Sequence, residues 1–195
     1  MSADSVYNVT QAVRDRLVAA LATIGEMGNV FVGPLDDPDA RGATLILFLY
    51  RMAPNASLRN REHRVISRNP PQAVDVYTNS LPLELHYLIT VGTRDATVDD
   101  PLLKYLGAAI QALNNEPELN GQRVGHEPVH LSFEPLSTEE MSRIWTLFPT
   151  ANYRTSVGYM ATPVWIDPPR PEPESARVVE DELVAGHQAR EVEDA

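Results

Sequence analysis

The stretch that most constrains the fold is TLILFLYRM, residues 44–52, in which every position from Leu45 to Tyr50 is apolar or aromatic. Its length and make-up suit a strand. Successive side chains of a strand point to opposite faces, so a near-continuous apolar run implies burial on both sides of the sheet. A second strand, PLELHYLITVG at 82–92, puts Leu83, Leu85, Tyr87, Ile89 and Val91 on one face. The other face carries Glu84, His86, Leu88 and Thr90. This mixed face calls for partial cover by a helix or a neighbouring subunit.

Helical signals flank these strands. Val6, Val9, Val13, Leu17, Leu21 and Ile24 recur every three or four residues, with Asp4 or Ser5 placed as cap and Gly25 and Gly28 as stops. Pro101 after Asp99-Asp100 opens a second helix, carried by Leu102, Leu103, Leu106, Ala109, Ile110 and Leu113. Ser137 and Glu140 spell a capping box before a third, whose apolar side is Met141, Ile144, Trp145 and Phe148. Shorter strands are expected at 30–32 and 129–133, and a last one at 155–167, where Pro163 implies an edge position or a bulge. Residues 53–81 show no sustained period and read as a long basic connection. The fold class expected is α+β, a mostly antiparallel sheet with packed helices, in one domain over 1–167. Residues 168–195 read as a tail, first proline-rich and then acidic, with a short helix near 178–189.

Composition excludes several functions. The chain has no cysteine, hence no disulfide, no thiolate nucleophile and no cysteine-based zinc site. A net charge of −11 argues against general affinity for nucleic acid or anionic membrane. The first residues lack the basic-then-apolar pattern of a signal peptide, and no apolar run is long enough for membrane insertion, so a cytoplasmic protein is expected. Neither a phosphate loop nor a G-x-G-x-x-G or G-x-S-x-G pattern is present, and Asp36, Asp37 and Asp39 lack the glycine and distal glutamate of a calcium loop. No catalytic residue and no cofactor is expected. One charged segment stands out: Arg51, Arg59, Arg61, Arg64 and Arg68 face only Glu62 between 51 and 68. In an acidic protein, such arginines suit protein carboxylates better than nucleic acid.

HEPVH, residues 126–130, matches the H-E-x-x-H pattern of zinc proteases. That chemistry needs a helix, where His126 and His130 would stand about 6 Å apart along the axis on one face, with Glu127 as base. In a strand the same four steps span about 13 Å. Pro128 between the histidines removes a donor and clashes with the preceding turn at about 3 kcal/mol. A turn leading into a strand is the expectation, and no third ligand is indicated by spacing.

Four stretches lie in an order and spacing of their own: LFLYRMAPNASLRNRE (47–62), LPLELHYLITVG (81–92), LLKYLGAAIQALNNEPEL (102–119) and LSTEEMSRIWTLFPTANYRTSVGYMATPVWID (136–167). Their most specific parts are Leu49, Tyr50, Arg51, Asn55, Arg59 and Asn60; Leu85 to Leu88; and Ile144, Trp145, Ser156, Val157 and Tyr159. Together they resemble the cap or tube-terminator family of phage-tail-like contractile injection systems. The resemblance implies a fold similar to phage tail terminators and a non-enzymatic role. It implies a homo-hexameric ring at the baseplate-distal end of the inner tube, with the chain itself, the tube protein and the sheath protein as partners. The arginine segment and the mixed strand face supply the candidate assembly interface: Arg51, Asn55, Arg59, Asn60, Arg61, Arg64, Arg68 and His86. The tail after Asp167 matches no motif of that family. An adaptor or chaperone of the same particle, or a zinc-dependent hydrolase using HEPVH, are the alternatives.

Overall fold

In a computed structural model of the chain, residues 3–66, 74–92, 102–121, 124–125 and 127–171 are described. The elements run α1 (Ser5–Thr23), β1 (Val30–Val32), β2 (Leu45–Pro54), β3 (His63–Ile66), β4 (Val74–Tyr77), β5 (Leu81–Val91), α2 (Leu102–Asn115), β6 (Glu118–Leu119), β7 (Val129–Glu134), α3 (Thr138–Thr146) and β8 (Ser156–Ile166). Six strands form one sheet in the order β1-β2-β5-β8-β7-β6, and β3 and β4 form a separate two-stranded sheet. Only the β1–β2 pair is parallel among the described strands. The expected α+β class, a mostly antiparallel sheet with packed helices, is what the chain adopts.

The apolar run at 44–52 behaves as its composition requires over its first half. Leu45 and Leu47 join the main core with Val9, Val13, Leu17 and Leu21 of α1, Leu106, Ala109 and Leu113 of α2, and Leu85, Tyr87 and Ile89 of β5. Ile46 packs on the opposite face with Ala40 and Ala43, and Phe48 lies against the cluster built by α3. Each such aliphatic side chain contributes about 1.5–3 kcal/mol when fully buried. Beyond Tyr50 the strand leaves the core: a register shift between Leu49 and Arg51 marks a bulge, and Arg51 and Met52 are exposed.

The mixed face of β5 is covered by a helix of the same chain. Leu88 packs with Ile144 and Trp145 of α3 and with Leu35 and Phe148. The helix starts where the capping box places it: Ser137 Oγ accepts from Glu140 N at 3.2 Å, and Ser137 N donates to Glu140 Oε2 at 2.9 Å. Ser137 Oγ also donates to Glu140 Oε2 at 2.7 Å, and this bond, followed by that from Ser137 N, holds the Glu140 carboxyl below the usual glutamate range. Ser137→Ala is expected to lower stability by about 1 kcal/mol, read from urea unfolding. An unchanged midpoint would show that α3 is held by packing alone. The start of the second helix at Asp99-Asp100-Pro101 lies outside the described residues.

One expectation needs correction, and another is narrowed to one of its two alternatives. Residues 53–81 are not a structureless connection: β3 and β4 pair from His63↔Tyr77 to Ile66↔Val74. His63 and Val65 point inward while Arg64 and Ile66 face out, an alternation only four residues long and therefore below what periodicity can register. Pro163 does not lie on an edge strand, since β8 sits between β5 and β7. The other expected solution is present: Thr162 and Pro163 together oppose the single Glu84 between the pairs Leu83↔Val164 and Leu85↔Ala161. On its other side the β7 ladder ends at Thr162, so the missing proline N–H interrupts neither neighbour.

Candidate assembly surface

The arginine segment leaves the sheet at Pro54 and returns as the β3–β4 hairpin. Asn55 turns the chain: its Oδ1 accepts from Ser57 N at 3.0 Å and Leu58 N at 3.1 Å, and its Nδ2 donates to Thr162 Oγ1 at 3.1 Å. Both ends of its amide are thus used inside the subunit. Arg51, Arg59, Asn60, Arg61 and Arg64 are exposed around it. Arg64 donates to Glu62 Oε2 through Nε at 3.2 Å and Nη2 at 2.8 Å. Arg51, Arg59 and Arg61 make no ion pair among the described residues. Arg68 lies outside them.

The foot of the hairpin is a buried polar cluster that sequence reading missed. His63 is 2% exposed and stacks on Trp165 of β8, with ring centroids 4.3 Å apart and planes at 6°. Asp167 Oδ1 lies 2.7 Å from His63 Nδ1 and accepts from Ser80 Oγ at 2.7 Å. Burial would raise the Asp167 carboxyl, but the hydrogen bonds it accepts, that from His63 foremost and that from Ser80 among the others, outweigh it and hold the group at about 2. An ionised carboxylate only accepts, so Nδ1 carries the hydrogen. The cluster has serine and histidine on the same carboxylate oxygen rather than serine on histidine, so it holds no activated nucleophile. The residues are 87 and 104 positions apart for the two bonds, and no sequence signal joins them.

His86 is also spent internally. It is 4% exposed, its Nδ1 lies 2.9 Å from both Glu134 oxygens, and Tyr50 donates to Glu134 Oε2 at 2.9 Å. Burial, together with that bond, pushes the Tyr50 phenol well above its ordinary range. The network ties β2, β5 and β7 together beneath α3. Of the eight candidate interface residues, Arg51, Arg59, Asn60, Arg61 and Arg64 are exposed, Asn55 and His86 bond within the subunit, and Arg68 lies outside the described residues.

Residues 127–130 of the HEPVH stretch are not helical. Val129 and His130 begin β7, where Val129 pairs with Leu119 and the exposed His130 with Glu118 and Thr162. Glu127 Oε2 accepts from Trp165 Nε1 at 3.2 Å and faces His63 Nε2 at 3.5 Å, so this carboxylate braces the hairpin foot. His126 lies outside the described residues. Among those described, no group of three or more histidines, aspartates and glutamates could hold a metal, and no helix is long and apolar enough to cross a membrane.

A mostly antiparallel sheet with two helices on one face and a third on the other has the fold of tube terminators. The structure of the PVC sheath/tube terminator of an extracellular contractile injection system, in its extended state, matches with a TM-score of 0.65 at 18% identity, over 96% of this chain and 65% of that one. The tube terminating cap of the anti-feeding prophage matches with a TM-score of 0.58 at 20% identity, over 93% of this chain and 60% of that one. Residues 8–180 match the family described as the Pvc16 N-terminal domain, and the chain belongs to that family. It spans 65% and 60% of the two solved chains it matches, and no curated protein matches it.

Proposed function

We propose that the chain is a cap subunit that ends the inner tube of a contractile injection particle at the end distal to the baseplate. The observation that carries this reading is the family match over 8–180, supported by the fold shared with two terminators. The role is structural rather than enzymatic. Six copies form a ring, head to tail, so that each subunit presents two different surfaces to its neighbours and a third to the tube and sheath. The ring offers the tube a matching surface below and no growth surface above, which limits tube length. Assembly takes place in the cytoplasm of the producing cell. The face carrying Arg51, Arg59, Asn60, Arg61 and Arg64 is the docking surface for carboxylates of a neighbouring subunit, tube or sheath, since its guanidinium groups are exposed and mostly unpaired.

Particles produced without this protein are expected to carry tubes of uncontrolled length, or to fall apart, as seen by electron microscopy. Particles of normal, controlled length would sink the reading. The double variant Arg59→Glu, Arg61→Glu is expected to weaken ring formation or tube binding about tenfold, equivalent to about 1.4 kcal/mol, with the thermal melt unchanged. Native mass spectrometry reads the ring, and six-fold particles unaltered by the charge reversal would place the interface elsewhere.

A further inference from the structure

We propose that the groove between α3 and the segment 149–156 is a docking site for a peptide of a protein partner, one that brings a large apolar side chain with a carboxylate beside it. The inference does not depend on the role given above to the arginine face.

The groove has a volume of about 690 Å³ and is walled chiefly by Leu136, Met141, Trp145, Phe148 and Tyr153. That size and lining suit one large side chain and the backbone that carries it. Its shape follows from the end of the helix: α3 stops at Thr146, Pro149 bars its continuation, and the chain returns to begin β8 at Ser156. The return sets Tyr153 against Trp145, with ring centroids 5.3 Å apart and planes at 58°. Tyr153 is 66% exposed, so its ring can turn without disturbing the core.

Two buried donors here have no acceptor. Trp145 is 7% exposed, and its Nε1 is buried without a hydrogen-bond partner. Trp165, the other tryptophan of the chain, shows the usual arrangement, since its Nε1 donates to Glu127 Oε2 at 3.2 Å. Arg154 is the second case. It stands in the chain between two residues of the groove wall, next to Tyr153 and accepting on its carbonyl from Ser156 Oγ at 2.8 Å. Its Nη1 is buried with no partner, and burial lowers its pKa with no carboxylate opposing the shift. Even on a chain of net charge −11, this half-buried guanidinium has no countercharge among the described residues.

Buried donors without acceptors cost free energy, and a ligand that supplies the acceptors recovers it. A carboxylate matches the guanidinium fork, a backbone carbonyl beside it takes the indole N–H, and the apolar side chain packs on Met141 and Phe148. A polyanion such as nucleic acid would meet the same guanidinium. The acidic surface repels it far more than it repels a peptide with one carboxylate.

The two tryptophans supply the readout, because each contributes one indole N–H signal to a heteronuclear NMR spectrum of the full chain. Trp145→Phe assigns the pair. The probe is the peptide N-acetyl-Gly-Leu-Glu-Gly-amide, with two controls in which Gln replaces its glutamate or Gly its leucine. The Trp145 signal is expected to move with a dissociation constant of about 1 mM, as suits a short flexible peptide. Trp165, its bond to Glu127 already made, should stay still. Either control peptide is expected to bind about tenfold more weakly. Arg154→Gln should lose the preference for the glutamyl over the glutaminyl peptide. A Trp145 signal that does not move, two indole signals that move alike, or equal affinity for those two peptides overturns the proposal. The peptide comparison uses the unaltered chain, so it decides even if Arg154→Gln misfolds. A folded Arg154→Gln chain that keeps the preference overturns the proposal as well.

Discussion

Asp167→Ala is expected to lower the stability of the chain by about 3–5 kcal/mol, because it leaves His63 Nδ1 and Ser80 Oγ buried without their shared acceptor. The Asp167 side chain is fully buried and that of His63 is 2% exposed, so water does not replace the lost bonds. The loss also frees the hairpin foot, since His63 is what fixes β3 on Trp165. The pH dependence has a definite sign. With a folded value of about 2 against about 3.9 in an unfolded chain, the carboxylate contributes about 2.6 kcal/mol. That contribution is present in full above about pH 4 and is lost as pH falls through about 2. Urea unfolding of the native chain and Asp167→Asn between these limits measures it: the gap should close on acidification. A gap that stays constant would mean that packing of the hairpin, rather than the charged bond, holds the foot.

Gly92→Ala is expected to do more damage, destabilising by more than about 4 kcal/mol, at the extreme of single substitutions. A Cβ at this position would sit 1.8 Å from Ala43 O and 2.4 Å from Ala43 C, both backbone atoms. Gly92 N donates to Thr44 O at 2.8 Å, so the close approach is part of the bonding that begins the β2–β5 ladder next to Leu45↔Val91. Relief requires these two central strands to separate at their buried ends. Gly107, in the middle of α2, supplies the contrast. An added Cβ there meets nothing within 4 Å, so Gly107→Ala should raise stability by about 0.5–1 kcal/mol through helix propensity. Thermal and urea unfolding of the two variants should move in opposite directions. A soluble Gly92→Ala protein with a native midpoint would show that the strands are not held together as tightly as this spacing requires.

The candidate surface was partly legible in sequence. Charge counting singles out the arginines, and the four of them that are described, Arg51, Arg59, Arg61 and Arg64, are exposed. His86 and Asn55 could not be separated from them, because a polar side chain in a strand or turn looks the same whether it meets water or a buried Glu134. The hairpin itself escaped notice because His63–Ile66 and Val74–Tyr77 are four residues each, within a segment rich in proline and asparagine.

Local patterns were decided by sequence alone: the α1 stripe from Val9 to Leu21, the capping box at Ser137, the two-sided burial of Leu45 to Phe48, and the exclusion of a helix by Pro128. Each depends on neighbours within a few residues, where periodicity and steric rules act directly. Tertiary structure alone decided that β8 inserts between β5 and β7, that Pro163 is accommodated in a bulge opposite Glu84, and that Asp167 reaches back to His63 and Ser80. Those outcomes depend on which distant segments share a register. A buried polar group takes its partner from across the sheet, and nothing in the adjacent sequence specifies which one it will be.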